Sequence, residues 1–234
     1  MTPIALQLYS VRRSADADFE GTLREVAALG YEGVEIFDLH EHAPESVAGW
    51  LAELGLAAAS RHARLEAIET QLPELAAEAA LMGWKRLVVS WFDPAQLDDA
   101  LVARLAAAAS AVAAEGLELG YHNHDAEVEQ GFLERLPDSV FLELDAGWAW
   151  YAGVDPLSLL GRGPLVHVKD FRARGGRSFC PVGDGAVGYE RIVPAAVRAG
   201  VEWLIVEQDE TEGSELDDAR RSLAAVITML GEVA

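Results

Sequence analysis

The feature that most constrains the fold is a regular alternation along the whole chain. Short apolar, β-branched runs alternate with Ala-, Leu- and Glu-rich stretches of helical period, a pattern typical of repeated βα units around a parallel sheet. The eight runs begin near Ile4, Glu32, Leu56, Arg86, Leu117, Val140, Pro164 and Trp203. A chain of 234 residues has the usual size of one β/α barrel. We therefore predict an α/β fold, a single (β/α)8 TIM barrel over residues 1–234.

Eight parallel strands can also form an open, doubly wound sheet. The first run, however, is not followed by the GxGxxG motif of a dinucleotide-binding domain, so the closed barrel is favoured. A Gly- and Arg-rich segment, Phe171 to Tyr189, follows the seventh run. On a barrel such a loop lies at the C-terminal face, where active sites are assembled. We expect it to contribute to the site; a tolerated surface insertion is the alternative.

Composition excludes several classes of function. The net charge of -21 disfavours nucleic acid as a partner, because duplex binding depends on cationic side chains at the phosphates. No apolar stretch approaches the roughly 18 residues of a membrane span, and the N-terminus lacks a signal-peptide pattern, so we expect a cytoplasmic protein without a membrane partner. The single cysteine, Cys180, has no partner for a disulfide. A homo-oligomer is compatible with exposed barrel helices, and the sequence leaves the oligomeric state open.

Ionisable side chains recur at the ends of successive predicted strands. They are Glu35, His62, His122, His124, Asp145, His167, Lys169, Glu207 and Asp209. Strand side chains alternate, so pairs two residues apart, such as His122 and His124, face the same barrel mouth. One histidine at a strand end is usually a hydrogen-bonded core residue, but this many charges in one concavity require a cation. The mixed N and O donors predict one divalent metal ion, Mn²⁺, Co²⁺, Zn²⁺ or Mg²⁺.

Motifs along essentially the whole chain resemble the sugar phosphate isomerase/epimerase family, the xylose isomerase-like barrels. They are QLYSVR, GYEGVEI, YHNHDAE, LDAGW, HVKD, VGDGAVGY and WLIVEQD. The resemblance implies a TIM barrel with one divalent metal, held by Glu, Asp, His and Glu from strands five to eight. Asp145, His167 and Glu207 match the last three of these ligands. It also implies proton transfer at a carbon beside a carbonyl.

The fifth strand departs from the family pattern. His122 stands where the ketose epimerases carry glutamate, so His122, His124 or Glu127 completes the metal site, and our assignment is His122. The YHNH run resembles the inosose dehydratase-like branch more closely. We therefore predict a metal-dependent isomerase, epimerase or dehydratase acting on a small hydroxylated substrate: a sugar, sugar phosphate or inosose.

The resemblance also implies roles for individual residues. His124 or Glu207 is the expected base, and Lys169 is expected to stabilise an enolate developing beside the carbonyl. The expected substrate-binding residues are Glu35, His62, Trp148, Arg172 and Asp209. For Arg172 the alternatives are covering the substrate and binding a phosphate.

Two other classes of function compete with this prediction. A metallonuclease of the apurinic-endonuclease type shares the fold, but its three zinc ions and basic DNA-facing surface fit this acidic chain poorly. The other is a non-catalytic sugar-binding barrel that keeps the ligand residues without turnover. The presence of Lys169 beside His167 favours an enzyme.

Overall fold

The apolar runs form short strands, and eight of them close into a parallel barrel in the computed structural model, which describes residues 2–231. The strands are β1 (Ile4–Gln7), β2 (Gly33–Ile36), β3 (Ala57–Ala63), β4 (Arg86–Val89), β5 (Glu118–His122), β6 (Val140–Asp145), β7 (Leu165–Val168), β8 (Asp170–Phe171), β9 (Phe179–Cys180) and β10 (Trp203–Val206). Pairing of β10 with both β7 and β1 closes the barrel, while β8 and β9 form a separate ribbon. The predicted (β/α)8 barrel is confirmed.

Helices surround the barrel and connect its strands. They are α1 (Arg12–Ala17), α2 (Phe19–Leu29), α3 (Pro44–Leu54), α4 (Leu65–Thr70), α5 (Leu72–Met82), α6 (Asp99–Ala114), α7 (Asp125–Glu129), α8 (Ala146–Tyr151), α9 (Tyr189–Arg198) and α10 (Glu215–Gly231). Asp18 caps the start of α2 by accepting a hydrogen bond from the Gly21 N–H, and Gly30 ends it with a φ of 103°. Over residues 2–231, no helix has both the length and the apolar character that crossing a bilayer requires.

The inside of the barrel changes from apolar to ionisable along the strands. Five buried side chains form an apolar layer, here called the floor: Ala5, Ala59, Val88, Leu165 and Ile205. Alternate residues of a strand face the same side, so the next inward position lies two residues later. After Leu165 this position is His167, and after Ile205 it is Glu207. The floor therefore lies directly beneath a layer of ionisable side chains.

The segment between β7 and β10 is a long βα loop, as predicted, but it begins with structure that the sequence pattern did not indicate. β8 and β9 pair as an antiparallel ribbon. The Asp170 carboxylate then accepts hydrogen bonds from the backbone N–H groups of Gly183, Gly185 and Val187 at 2.9, 3.1 and 3.2 Å. One buried carboxylate thus organises the Gly-rich part of the loop.

Gly147, in the first turn of α8, allows this helix to approach the end of β7 closely. A Cβ atom at this position would lie 2.0 Å from the backbone oxygen of Lys169. We expect Gly147→Ala to lower the free energy of unfolding by about 3 kcal/mol, because the backbone on both sides must shift. Urea denaturation measures this change.

Gly49→Ala is the matched control. Gly49 lies inside α3 with no atom within 4 Å of an added Cβ. Alanine there should raise the free energy of unfolding by about 0.5–1 kcal/mol, because a helical glycine loses more chain entropy on folding. Equal effects of the two substitutions would contradict the close approach of α8 to β7.

Candidate metal centre and active site

Ionisable side chains from five barrel strands converge at the C-terminal end of the barrel and form three groups. The inner carboxylates are Glu35 and Glu143, the histidine pair is His122 and His167, and the outer group is Asp145, Lys169, Glu207 and Asp209. All except Asp209 have at most 6% of their surface exposed. Their charges therefore interact largely through protein rather than water, which strengthens every attraction and repulsion among them.

Glu35 lies at the bottom of the site, with both of its oxygens occupied. Gln7 Nε2 donates a hydrogen bond to Oε2 at 2.5 Å, and the Ser60 hydroxyl donates to Oε1. The Nε2 atoms of His62 and His167 lie 2.9 and 2.8 Å from Oε2. Burial alone raises the pKa of Glu35, but the two imidazoles outweigh it and lower the pKa well below its usual value. Glu35 is therefore a carboxylate anion.

Glu143, the second inner carboxylate, contacts two imidazoles through one oxygen. His62 Nε2 is 2.7 Å and His122 Nδ1 is 3.0 Å from Glu143 Oε2. The Gln7 Nε2 atom also lies 3.3 Å from His62 Nδ1, on the other side of the ring from the carboxylates. Burial alone lowers the pKa of His62, but the charges of Glu35 and Glu143 outweigh it and raise the pKa to about 9.

Each ring of the histidine pair lies between the inner carboxylates and the outer group. His122 turns Nδ1 towards Glu143 and Nε2 towards Asp145, whose Oδ2 is 3.7 Å away. His167 turns Nε2 towards the inner carboxylates, and its Nδ1 is 2.9 Å from Glu207 Oε2. Each ring therefore presents one nitrogen to the inner carboxylates and the other nitrogen to the outer group.

Lys169 holds the outer group together. Its Nζ lies 3.2 Å from Asp145 Oδ2 and 2.9 Å from both Glu207 Oε2 and Asp209 Oδ1. Burial alone lowers the pKa of Lys169, but the three carboxylates outweigh it and raise the pKa well above its usual value. Burial raises the pKa of Glu207, whereas Lys169 and His167 outweigh it and lower that pKa. Lys169 is an ammonium cation and Glu207 a carboxylate anion.

The residues predicted as metal ligands lie together. His122, Asp145, His167 and Glu207 each place one donor atom within 4.8 Å of the others. Asp145 Oδ2 is buried and has no hydrogen-bond partner within residues 2–231, although the Lys169 ammonium lies 3.2 Å away. Burial raises the pKa of Asp145 to about 6 although Lys169 opposes this. A divalent cation fits this set, since two imidazole and two carboxylate donors suit it and it would neutralise the unpaired oxygen.

The structure separates the three candidates for the strand-five ligand. His122 lies in the set of potential ligands. Glu127 faces away from it, because its carboxylate accepts from the Tyr121 hydroxyl and the His124 backbone N–H, both at 3.0 Å. His124 has an unpartnered Nδ1, and burial together with the charge of Lys169 lowers its pKa to about 3. The geometry favours His122 as the ligand and leaves His124 as a neutral imidazole.

A cavity of about 580 Å³ opens above these groups. Its inner wall contains His62, His122, His124, Lys169, Glu207 and Asp209. The rest of the wall includes four aromatic side chains and two guanidinium groups, those of Tyr9, Phe37, Trp91, Trp148, Arg64 and Arg177. This volume and this mixture of polar and aromatic surface suit a small molecule with several hydroxyl groups.

Two of the predicted substrate-binding residues do not line this cavity. Glu35 is completely buried and both of its oxygens are occupied, so its placement gives no support to the predicted contact with a substrate hydroxyl. Arg172 is exposed and lines a separate cavity beside Cys180. Arg177, from the same loop, lines the main cavity instead, with its guanidinium 5.1 Å from the Trp148 ring centroid. His62, Trp148 and Asp209 do reach the cavity wall.

Sequence reasoning missed Glu143, Gln7 and Arg177. A signal for Glu143 was present, because it lies two residues before Asp145 and therefore shares its inward face. Gln7 is the last residue of β1 and was open to the same argument. Arg177 carries no comparable signal, since the conformation of a long loop decides which of its arginines reaches the cavity.

Comparison with known proteins identifies relatives at the level of family and fold. The family model described as xylose isomerase-like TIM barrel matches residues 23–229. No curated protein sequence matches the chain significantly.

Several solved structures share the fold over almost the whole chain. A sugar phosphate isomerase/epimerase from Parabacteroides distasonis is 20% identical, with a TM-score of 0.79 over 97% of this chain and 98% of that one. An L-ribulose 3-epimerase is 18% identical, with a TM-score of 0.74 over 100% and 96%. A xylose isomerase-like TIM barrel protein from Mycobacterium smegmatis, in complex with magnesium, is 16% identical, with a TM-score of 0.71 over 100% and 98%.

The unpaired oxygen of Asp145 leads to a prediction about metal binding. We expect protein purified without chelator to bind about one divalent ion per chain and Asp145→Asn to lose most of that affinity. Asparagine keeps the Oδ1 atom that accepts the Trp148 N–H, so the start of α8 is preserved. Mass spectrometry of metal content and titration of the chelated protein with Mn²⁺, Co²⁺ and Zn²⁺ measure this.

A stability measurement provides an independent readout. An ion present at 100 times its dissociation constant should raise the free energy of unfolding by about 2.7 kcal/mol. The control is Asp138→Asn, an exposed carboxylate outside both the cavity and the set of potential ligands. Identical metal responses of the two variants would show that Asp145 is not a ligand.

Proposed function

The chain belongs to the xylose isomerase-like TIM barrel family, and on this basis we propose that it is a metal-dependent isomerase, epimerase or dehydratase of a small sugar, sugar phosphate or inosose. The observation that carries this proposal is the arrangement of the histidine pair and the outer group. It combines a set of potential metal ligands with a buried ammonium and opens into a cavity of about 580 Å³. A site that only bound sugar would not require so many buried charges.

The chemistry we propose is proton abstraction at a carbon beside a carbonyl. A divalent metal held by His122, Asp145, His167 and Glu207 would supply the charge that polarises this carbonyl. Lys169 Nζ is fixed by three carboxylates and lines the cavity, so its charge is already oriented before substrate binds. A fixed cation of this kind stabilises an enolate without reorganising.

Two groups are candidates for accepting the proton. Glu207 lines the cavity, but its carboxylate is engaged by Lys169 and His167 at 2.9 Å each. His124 also lines the cavity, and its Nδ1 has no partner among the described residues. We favour His124 as the acceptor because its Nδ1 lone pair is not engaged, although burial and the charge of Lys169 lower its pKa and make this imidazole a weak base. In a dehydratase the same imidazole would be suitably placed to return the proton to the departing hydroxyl.

The remaining cavity wall supports a hydroxylated substrate. His62, Asp209 and the backbone around them provide polar groups, and Trp148 provides an aromatic face 5.4 Å from Lys169 Nζ. Arg177, in the loop between β8 and β9, lies over the Trp148 ring, and its guanidinium forms a salt bridge with the Asp125 carboxylate at 3.1 Å. We propose that Arg177 closes over the bound substrate.

Exchange of substrate hydrogen with solvent tests this function. The metal-loaded protein is incubated in deuterated water with a series of ketoses, ketose phosphates and inososes, and the carbon-bound hydrogen signals are followed by NMR. We expect one substrate class to exchange or be converted. Binding without exchange would instead indicate a sugar-binding barrel, and three bound zinc ions would indicate the nuclease class.

Variants on the responsive substrate test the residue roles. We expect Lys169→Met to lower kcat about 10²–10³-fold and His124→Gln about 10²–10⁴-fold, the usual losses for an electrostatic donor and a general base. Asp138→Asn is the control that should leave the rate unchanged. A rate unaffected by His124→Gln would transfer the role of proton acceptor to Glu207.

A further inference from the structure

The four predicted metal ligands His122, Asp145, His167 and Glu207 are here called the outer set. A second set of four buried residues, the inner set, also has donor atoms within 4.8 Å of one another: His62, His122, Glu143 and His167. The two sets share both rings of the histidine pair. We propose that the metal occupies only the outer set and that Glu143 is a positioning residue, which fixes the tautomer of His122 so that Nε2 faces the metal. This inference rests on the metal site of the proposed function.

The shared rings make the two sets alternatives. A neutral imidazole has one nitrogen with a free lone pair, and the other nitrogen carries a proton. His122 presents Nδ1 to Glu143 and Nε2 to Asp145, so one neutral ring serves only one of the two sets. Filling both sets at once would require both rings of the histidine pair to lose their last proton.

The inner carboxylates are the less suitable place for an ion. Both oxygens of Glu35 already accept, from Gln7 and Ser60. Glu143 Oε2 already accepts from His62 and His122, while its Oε1 is buried without a partner among residues 2–231. Neither carboxylate lines the cavity, and neither has any exposed surface. Both sets have two members at the cavity wall, His62 and His122 in the inner set and His122 and Glu207 in the outer set, but only the outer set places a carboxylate ligand there.

Glu143 is well placed to act through His122. Its Oε2 is 3.0 Å from His122 Nδ1 with hydrogen-bond geometry, so the proton is held on Nδ1 and the lone pair on Nε2. The same oxygen accepts from His62 at 2.7 Å, and His62 is in turn held by Gln7. This chain of contacts fixes the carboxylate, and a carboxylate behind a metal-binding imidazole typically changes metal affinity 10–100-fold.

The other ring is held less directly. Glu35 Oε2 lies 2.8 Å from His167 Nε2, yet the angle is not that of a hydrogen bond. Glu35 therefore acts on His167 mainly through its charge. The hydrogen bond between Glu143 and Nδ1 of His122 is therefore the contact that orients a ligand ring from below, and the experiment removes this bond.

The experiment measures the affinity of the chelated full chain for Co²⁺, together with the visible spectrum of the bound ion. Glu143→Met removes the acceptor at nearly the same volume, and we expect about 10–100-fold weaker binding with one ion per chain retained. Glu143→Gln keeps an oxygen for His122 but loses the charge, so we expect a smaller loss. An unchanged spectral intensity would show that the ligand number is preserved.

Glu215→Gln is the matched control. Glu215 is 6% exposed and accepts hydrogen bonds from Arg13 and Ser14, outside the cavity. We expect this substitution to leave the affinity for Co²⁺ unchanged even where it lowers stability. If Glu143→Met does not fold, Glu143→Gln still tests the inference through its smaller loss and its spectrum.

The outcomes separate this inference from the proposed function. Wild-type affinity in both Glu143 variants would overturn the positioning role while leaving the enzyme proposal intact. Two ions per chain would show that metal also occupies the inner set and would overturn the positioning role as well. So would loss of the ion in Glu143→Gln together with its retention in Asp145→Asn, because the metal would then lie in the inner set. One ion with the expected affinity losses but no turnover of any sugar would support the inference and overturn the function. A wild-type chain without metal affinity would overturn both.

Discussion

The enclosure of four carboxylates in the mouth of one barrel is the constraint on which the rest of the site depends. Glu35, Glu143, Asp145 and Glu207 are at most 6% exposed. Buried anions at such distances destabilise a fold unless cations or hydrogen-bond donors compensate them. The imidazoles compensate the inner pair, and the single Lys169 ammonium is shared among Asp145, Glu207 and Asp209. Asp145 Oδ2 therefore has an ion-pair contact but no hydrogen-bond donor among residues 2–231. The site therefore favours an additional positive charge beside Asp145.

The parallel barrel allows the protein to tolerate this crowding of buried charges. All strands end at the same mouth, so side chains from several strands meet in a common layer. The apolar floor below supplies hydrophobic burial without competing for that layer. The apolar floor that stabilises the barrel and the ionisable side chains of the site therefore lie at different depths of the same strands. On β7 and at the end of β10 the ionisable residue follows the floor residue by two positions.

The histidine in the fifth strand changes the charge balance of the outer set. His122 contributes no negative charge where related epimerases are expected to carry glutamate, so the two carboxylates of the set match one divalent ion. The Lys169 charge is then balanced by Asp209, 2.9 Å away. Glu143 of the neighbouring strand β6 contacts the ring of His122 one layer below the outer set.

The sequence by itself determined the barrel and most of the site. Strand and helix periods predicted the eight βα units, and the ionisable residues at successive strand ends predicted one polar mouth. The family resemblance then named Asp145, His167 and Glu207 as metal ligands. Only the tertiary structure decided which groups reach solvent and which nitrogen faces which partner. Glu35 and Arg172 were assigned to substrate because sequence records the inward face but not depth or loop conformation. Depth and ring orientation depend on contacts such as Glu143 with His122, between strands whose side-chain packing no local pattern encodes.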